Sequence, residues 1–306
     1  MPFRYASCSR FRLFTCLGAL LVLVALSTTA LRAQSYDSII VFGDSYNDVG
    51  NFYYLAGKRG VVYPPPPYYY GRFSDGPIWV DDLAGALGLP IAPALRGGTD
   101  YAVGGAELLQ TIKIQGVALP SIEDQVAAYL AATGGKADPH ALYVIEGGGD
   151  DILNATTFSP NTLGPAIAGG LYGIEKSLRA AGGTSFLIPQ LIDVGQLPAA
   201  MAAGPEFVTF ADATSVAANQ ALASDLAADS KLPGIHIYNI PVFKEFLTTV
   251  SAPGAFGFLD TIYPCVNPGF VCTAPDHHLW WDAVHPSKFA HGYFAILAGA
   301  ALYYQK

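Results

Sequence analysis

Three residues at opposite ends of the chain carry the side chains that nucleophilic catalysis needs. Ser45 ends the tripeptide GDS, and Asp282 and His285 lie three positions apart in the segment WDAVHPS. A serine hydroxyl becomes a strong nucleophile when an imidazole removes its proton, and a carboxylate can orient that imidazole and stabilise its charged form. Because Pro286 interrupts regular backbone hydrogen bonding, we expect Asp282 and His285 to lie on a loop of fixed shape.

Both motifs also have ordinary structural explanations. A serine or aspartate that follows a strand often caps a helix, and an aspartate beside a histidine is often a structural pair. If a helix follows the GDS tripeptide directly, its N-terminus presents Ser45, because the free amides there favour negative charge near the hydroxyl oxygen. Asp44 and Asp48 would then be partners of the same helix dipole. Either motif alone is therefore weak support for catalysis.

The segments around these motifs predict a parallel sheet. The run SIIVF at 38–42 is apolar, rich in β-branched residues and followed by a glycine, as expected of a buried parallel strand. Further strands and alanine-rich helices alternate along the chain, which implies βαβ units with helices on both faces of one sheet. Ligands bind beyond the carboxyl ends of such strands, where Ser45 and the glycine run around Gly148 both lie. The predicted strands are 38–42, 141–145, 184–188 and 235–240, the predicted helices are 77–87, 123–132, 167–181 and 207–228, and the proline-rich segment 63–70 is predicted to be a stiff surface loop.

The N-terminal segment predicts export. Three arginines precede an uncharged stretch at 13–30 that is followed by small residues, which is typical of a signal peptide cleaved after Ala33 or, as a second option, after Ala30. A single membrane anchor is the competing interpretation, although the apolar run is short for a span. No change in composition marks a linker later in the chain, so we interpret 34–306 as one catalytic domain.

Charge and composition narrow the classes of partner. Hydrophobic residues make up 52% of the 306 residues and charged residues 13%, which excludes a disordered chain. Residues 1–33 contain four arginines and no acids, so their removal changes the net charge from −8 to −12. We therefore expect no nucleic acid partner, and no stable membrane anchor after cleavage of the signal.

The cysteines also fit an exported protein. Cys8 and Cys16 leave with the signal, so Cys265 and Cys272 are the remaining pair and are predicted to form a disulfide in a secreted or periplasmic location. Two free thiols are the alternative. Two thiolates without suitably spaced histidines make a zinc site improbable.

Four segments in sequence order resemble the conserved blocks of the GDSL, or SGNH-hydrolase, esterases. They are GDSYNDVGN, DYAVGGA at 100–106, EGGGDDIL at 146–153 and DAVHPS at 282–287, and the stretch 71–84 resembles the acetylesterase and plant-lipase branch. The resemblance implies an α/β protein with three α/β/α layers and a mostly parallel, flavodoxin-like sheet. It also implies a carboxylic ester hydrolase that works through an acyl-enzyme, with no metal and no cofactor.

The resemblance assigns a role to individual residues. It makes Ser45 the nucleophile, His285 the base and then the acid, and Asp282 the orienting carboxylate. The oxyanion hole of the family consists of the amide of the nucleophile, here Ser45, a glycine amide that matches Gly105, and an asparagine side chain. Gly104 is the second option for the glycine if the register shifts by one residue.

The third oxyanion donor departs from the family pattern, because Asp150 replaces the asparagine of the G-x-N-D block. An ionised carboxylate donates no hydrogen bond, and the loss of one such donor typically costs ~10²–10³ in rate, about 3–4 kcal/mol. A protonated Asp150 could donate if burial and the neighbouring acids Asp151 and Glu146 raised its pKa. Three alternatives follow: a weak enzyme, an enzyme with acid-shifted activity, or a ligand-binding module that has lost turnover. We favour hydrolysis of short acyl or acetyl esters, on a small molecule or a glycan.

Overall fold

Parallel strands form the central sheet of the computed structural model, which describes residues 36–108, 110–114, 116–267 and 270–304. The predicted signal peptide at 1–33 lies outside these residues. The strands are β1 (Ser38–Phe42), β2 (Ile112–Ile114), β3 (Val117–Leu119), β4 (Ala141–Ile145), β5 (Ser185–Pro189), β6 (His236–Ile240), β7 (Val266–Asn267) and β8 (Phe270–Val271). The helices are α1 (Asn51–Gly57), α2 (Trp79–Leu87), α3 (Ile122–Ala132), α4 (Gly149–Leu153), α5 (Pro160–Ala180), α6 (Pro198–Ala203), α7 (Pro205–Asp229), α8 (Val242–Ser251) and α9 (Lys288–Tyr304).

The sheet has the strand order of a flavodoxin-like fold. Its four strands run in the order β1-β4-β5-β6, and each neighbouring pair is parallel. On the free side of β1, Val41 forms a parallel bridge with Asp100, and its amide donates to the carbonyl of Thr99. This short edge segment, second along the chain, gives the order 2-1-3-4-5 typical of flavodoxin-like sheets.

Helices cover both faces of the sheet, because alternate strand residues are buried on opposite sides. One face packs Phe42, Tyr143 and Phe186 against α3, α5 and α7. The other face packs Val41 and Val144 against α2 and α9. The three-layer α/β/α architecture and the parallel sheet are confirmed.

The predicted strands and helices are present, with shifts at their ends that reach seven residues at the start of α5, which begins at Pro160 where 167 was predicted. β1 and β4 have the predicted bounds, while β5 begins one residue later than predicted and β6 also begins one residue later. The segment 63–70 contains no helix or strand, as predicted. The prediction missed the helices α4, α6, α8 and α9 and the short strands β2, β3, β7 and β8. Apolar residues occur around most of the circumference of α9, which blurs the 3.6-residue period by which a helix is recognised.

The residues from Tyr36 onward form one compact unit. Among the described helices, none combines the length and the apolar character needed to cross a bilayer.

Candidate active site

Ser45, His285 and Asp282 meet at the carboxyl end of the sheet. The Ser45 Oγ and His285 Nε2 atoms are 2.8 Å apart, although 240 positions separate the two residues in sequence. On the other side of the imidazole ring, Nδ1 is 2.7 Å from Asp282 Oδ2. A carboxylate at Nδ1 stabilises the tautomer that carries its proton there, which leaves Nε2 free to accept the hydroxyl proton of Ser45.

Asp282 is held by four hydrogen bonds. Its Oδ1 accepts from the amides of Val284 (2.8 Å) and His285 (2.7 Å), and its Oδ2 accepts from His285 Nδ1 and from the Tyr68 hydroxyl at 2.6 Å. Burial alone would raise the pKa of Asp282, but the charge of His285 and the hydrogen bonds from His285 and Tyr68 outweigh it and lower the pKa to about 2. The carboxyl is therefore ionised throughout the neutral and mildly acidic range.

Tyr68 is a site residue that the motifs did not reveal. The sequence predicted only that Tyr68 lies in a stiff, proline-rich surface loop. Its hydroxyl lies 214 positions from its partner Asp282, and no local pattern records a pairing over that distance. The proline-rich segment before it was the available signal, because a stiff loop can hold a side chain at a fixed place.

Ser45 lies on a tight turn at the end of β1, and not at a helix N-terminus. The Asp44 carbonyl accepts from the amides of Asn47 and Asp48, and α1 begins only at Asn51. The expectation that a helix end presents Ser45 is therefore wrong. The helix is displaced because Asp48 places its own side chain over the first amides of α1, so these amides point at a carboxylate.

The glycine before this turn is required by close packing. A Cβ atom on Gly43 would collide with the Asn47 side chain and the Glu146 carbonyl oxygen. The buried side chain of Gln125 holds the same residue from α3, since its Oε1 accepts from the Gly43 amide (2.9 Å) and its Nε2 donates to the Gly43 carbonyl (2.8 Å). These contacts fix the exit direction of β1 and thus the position of Ser45.

The carboxylate of Asp48 connects the turn that carries Ser45 to the segment DYAVGGA at 100–106. Besides the first amides of α1, this carboxylate accepts from the Gly104 amide at 2.9 Å. Asp100 supports the same region, with the Val49 amide 2.8 Å from Oδ2 and the Ala102 amide 2.9 Å from Oδ1. Because the Gly104 amide already donates to Asp48, Gly105 is the better candidate for the glycine donor that the family resemblance implies. Its positive φ of 80° is one that glycine adopts without strain.

Buried and half-buried acids surround Ser45. Asp150 and Ser45 line the same pocket, together with Asp44 and Glu146. Burial, followed by the charges of Asp44 and Asp151, raises the pKa of Asp150 well above its usual value. Burial and the charge of Asp44 likewise raise the pKa of Glu146. A raised pKa extends to higher pH the range in which Asp150 carries a proton and can donate a hydrogen bond.

A disulfide fixes the strand that flanks the Asp282 loop. Cys265 and Cys272 are bonded, as predicted, with their Cα atoms 4.9 Å apart. The Cys265 amide donates to the Trp280 carbonyl (3.0 Å), and the Val266 amide donates to the Trp281 carbonyl (2.7 Å). The residues immediately before Asp282 are thus tied to a covalently closed loop.

The described residues contain no group of three or more His, Cys, Asp or Glu side chains placed to hold a metal ion.

Comparisons with known proteins place this site in a family. The sequence profile of the family described as GDSL-like lipase/acylhydrolase matches residues 39–297. A GDSL esterase/lipase of Arabidopsis thaliana is 28% identical, with 89% of this chain and 93% of that protein covered, and the phosphatidylcholine-sterol acyltransferase of Aeromonas hydrophila is 29% identical, with 84% and 73% covered. A solved structure of a lipolytic G-D-S-L family protein from Veillonella parvula DSM 2008 aligns with a TM-score of 0.49 at 16% identity, covering 86% of this chain and 96% of that chain. The match over most of its length shows that the chain belongs to the GDSL-like lipase/acylhydrolase family and, as a member of it, is a carboxylic ester hydrolase.

Proposed function

We propose that this protein is an exported serine esterase in which Ser45, His285 and Asp282 form the catalytic triad. The observation that carries the proposal is the continuous hydrogen-bonded chain from Ser45 Oγ through both imidazole nitrogens of His285 to Asp282. In the first half-reaction, Ser45 Oγ attacks the ester carbonyl while His285 takes its proton. His285 then protonates the departing alcohol, which leaves an acyl group on Ser45.

Water completes the cycle by the same chemistry in reverse order. His285 removes a proton from a water molecule, which attacks the acyl-enzyme, and the proton then returns to Ser45 Oγ as the carboxylic acid leaves. Asp282 remains ionised throughout and stabilises the imidazolium that forms in each half-reaction, which is consistent with the low pKa of its carboxyl.

The negative oxygen of each tetrahedral intermediate needs donors beside Ser45. We assign the amides of Ser45 and Gly105 to this role, with the protonated carboxyl of Asp150 as the third donor. The burial that raises the pKa of Asp150 supports this assignment. The carboxyl donates below its pKa and not above it, so activity is expected to fall as the pH rises through that pKa.

The substrate class proposed here is a carboxylic ester with a short acyl group, including acetyl esters on a glycan. The pocket beside Ser45 has a volume of only about 30 Å³. Export is supported by the disulfide, which persists in secreted and periplasmic compartments. Intact-mass measurement of the protein from the extracellular or periplasmic fraction tests the expected mature N-terminus at Gln34.

The activity is tested by hydrolysis of p-nitrophenyl acetate and butyrate between pH 4 and 9. We expect Ser45→Ala to lose nearly all turnover, and Ser177→Ala, an exposed serine on α5, to retain it. Equal rates for wild type and Ser45→Ala would exclude the triad mechanism and would favour the ligand-binding alternative that Asp150 suggests.

The role of Asp150 is tested with Asp150→Asn, which installs a donor that cannot ionise. We expect the variant to gain most over wild type at the alkaline end of the series, by up to ~10² if one oxyanion donor is restored. At the acid end the two proteins should be similar, because the wild-type carboxyl then carries its proton. A ratio of rates that does not change with pH would contradict the proposed donor.

A further inference from the structure

A second apolar cavity lies directly behind the pocket that contains Ser45. The pocket beside Ser45 has a volume of about 30 Å³, and the second cavity has a volume of about 80 Å³. Tyr46, Ile192 and Phe294 line both spaces. The two spaces are therefore separated by these three side chains, which we call the partition.

The pocket beside Ser45 is on the acyl side of the nucleophile. The alcohol oxygen of an ester must lie within hydrogen-bond reach of His285 Nε2, because His285 protonates it as it leaves. Of the described residues, those that line this pocket include Ser45 and Asp150 but not His285. The part of the substrate that enters the pocket is therefore the acyl group.

The second cavity has the character of a hydrocarbon site. Its walls include Phe246, Phe258, Leu279, Trp280 and Leu297. Hydrophobic and aromatic side chains of this kind are typical of sites that bury an apolar ligand.

The buried side chain of His291 in this cavity is compatible with an apolar ligand. His291 accepts a hydrogen bond from the Trp79 amide at Nδ1, 3.4 Å away, and burial, followed by the charge of His285, lowers its pKa to about 3. It is therefore neutral over the range in which the enzyme is expected to work. The half-buried Glu245 is the acidic residue of the lining.

We propose that Ile192 and Phe294 limit the length of the acyl chain, and that the cavity behind them is an acyl-binding extension that is closed in this protein. This inference rests on the proposed function, since it concerns the acyl group that is transferred to Ser45. Ile192 and Phe294 line both spaces, so we expect truncation of either side chain to join them. Tyr46 is less suitable for a test because its hydroxyl donates to the Val284 carbonyl at 2.7 Å, next to His285.

The two partition residues come from different parts of the fold. Ile192 follows β5, and Phe294 lies on α9 with its ring centroid 4.9 Å from that of Trp79. Independent truncation of each therefore disturbs different neighbours. A shared change in acyl preference would thus come from the partition itself.

The test compares kcat/KM for p-nitrophenyl esters of two, four, six and eight carbons. Wild type should prefer the two- and four-carbon esters. In Ile192→Ala and Phe294→Ala, the ratio of kcat/KM for the eight-carbon ester to that for acetate should rise about tenfold or more. Burial of one methylene is worth about fourfold, the equivalent of ~0.8 kcal/mol, so burial of two accounts for such a rise.

The matched control is Leu297→Ala, which enlarges the second cavity without removing the partition. Its ratio should equal that of wild type. If Phe294→Ala does not fold, Phe294→Leu and Ile192→Ala still test the partition, with thermal unfolding used to confirm that each variant is folded.

The outcomes separate this inference from the proposed function. A wild type that depends on Ser45 but prefers the eight-carbon ester would overturn the partition and leave the triad intact. The same holds if both truncations fold and keep the wild-type ratio, or if Leu297→Ala shifts the ratio as much as they do. Loss of dependence on Ser45 would overturn the proposed function and this inference with it.

Discussion

Substitution of Asp48 by asparagine should destabilise the protein strongly although Asp48 takes no direct part in the chemistry. Its buried carboxylate accepts four backbone hydrogen bonds. Oδ1 accepts from Gly50 (2.7 Å) and Asn51 (2.5 Å), and Oδ2 accepts from Phe52 (2.9 Å) and Gly104 (2.9 Å). An asparagine keeps one acceptor oxygen and places an NH₂ group against the other pair of amides. In either orientation, two buried amides lose their acceptor.

The magnitude follows from those two amides. A buried donor without a partner costs ~1–3 kcal/mol, so Asp48→Asn should lower the free energy of unfolding by roughly 2–6 kcal/mol. This is a large part of the ~5–15 kcal/mol that stabilises a typical domain. Since one of the four amides belongs to Gly104, the turn that carries the proposed donor Gly105 should also loosen, and kcat/KM for p-nitrophenyl acetate should fall.

Urea unfolding at pH 8 measures the effect. Burial raises the pKa of Asp48 to about 6, so the wild-type carboxyl is ionised at pH 8. With a slope of about 2 kcal/mol per M, the midpoint should fall by roughly 1–3 M urea. Asp37→Asn is the matched control, because Asp37 is exposed, and its midpoint should stay within the equivalent of ~0.5 kcal/mol of wild type. An unchanged midpoint for Asp48→Asn would refute the assignment of the four amides to this carboxylate.

Two further predictions concern stability. Replacement of Cys265 and Cys272 by serine should cost about 2.4 kcal/mol, the chain-entropy value for so short a loop, and should be visible as a lower Tm that reductant does not decrease further. Asp193 shares a hydrogen bond with Asp212, and burial, followed by this contact, raises the pKa of Asp193 to about 7. Its contribution is therefore fully present below about pH 4 and is lost as the pH rises through 7, by ~1–2 kcal/mol after allowance for solvent screening. Asp193→Asn should flatten the dependence of Tm on pH between 4.5 and 8.5, and an unchanged slope would contradict the shared proton.

The sequence predicted those features of the molecule that depend on a short local pattern of residues. β1 and β4 were placed correctly because each is a short apolar run with glycine close behind it, Gly43 directly after β1 and a glycine run one residue after β4. The meeting of Ser45 and His285 was predicted because each lies in a motif with a known order along the chain. The contacts of Tyr68 with Asp282 and of Gln125 with Gly43 were not predictable in this way. They join residues 214 and 82 positions apart, and neither partner carries a local signal of the other.

The helix that was expected to present Ser45 shows a different limit. The sequence after GDS indicated that a helix follows Ser45. It did not indicate that the helix begins only at Asn51. The amides at the start of α1 donate to the carboxylate of Asp48. They are therefore not available to stabilise negative charge at Ser45. The proposed function therefore assigns the stabilisation of negative charge beside Ser45 to individual amides and to Asp150.

On this assignment, the carboxyl of Asp150 is central to the proposed mechanism. Asp44, Glu146 and Asp150 line one small pocket, and burial followed by the charge of Asp44 raises the pKa of both Glu146 and Asp150. Neighbouring like charges raise one another's pKa values, so these three acids bind protons more tightly than isolated acids would. A neutral Asp150 is the state that is compatible both with burial among these acids and with donation to an oxyanion. An asparagine would donate at every pH. If Asp150 is the third donor, as proposed, its carboxyl donates only while it retains its own proton, and the rate of ester hydrolysis is then expected to fall as the pH rises through its pKa.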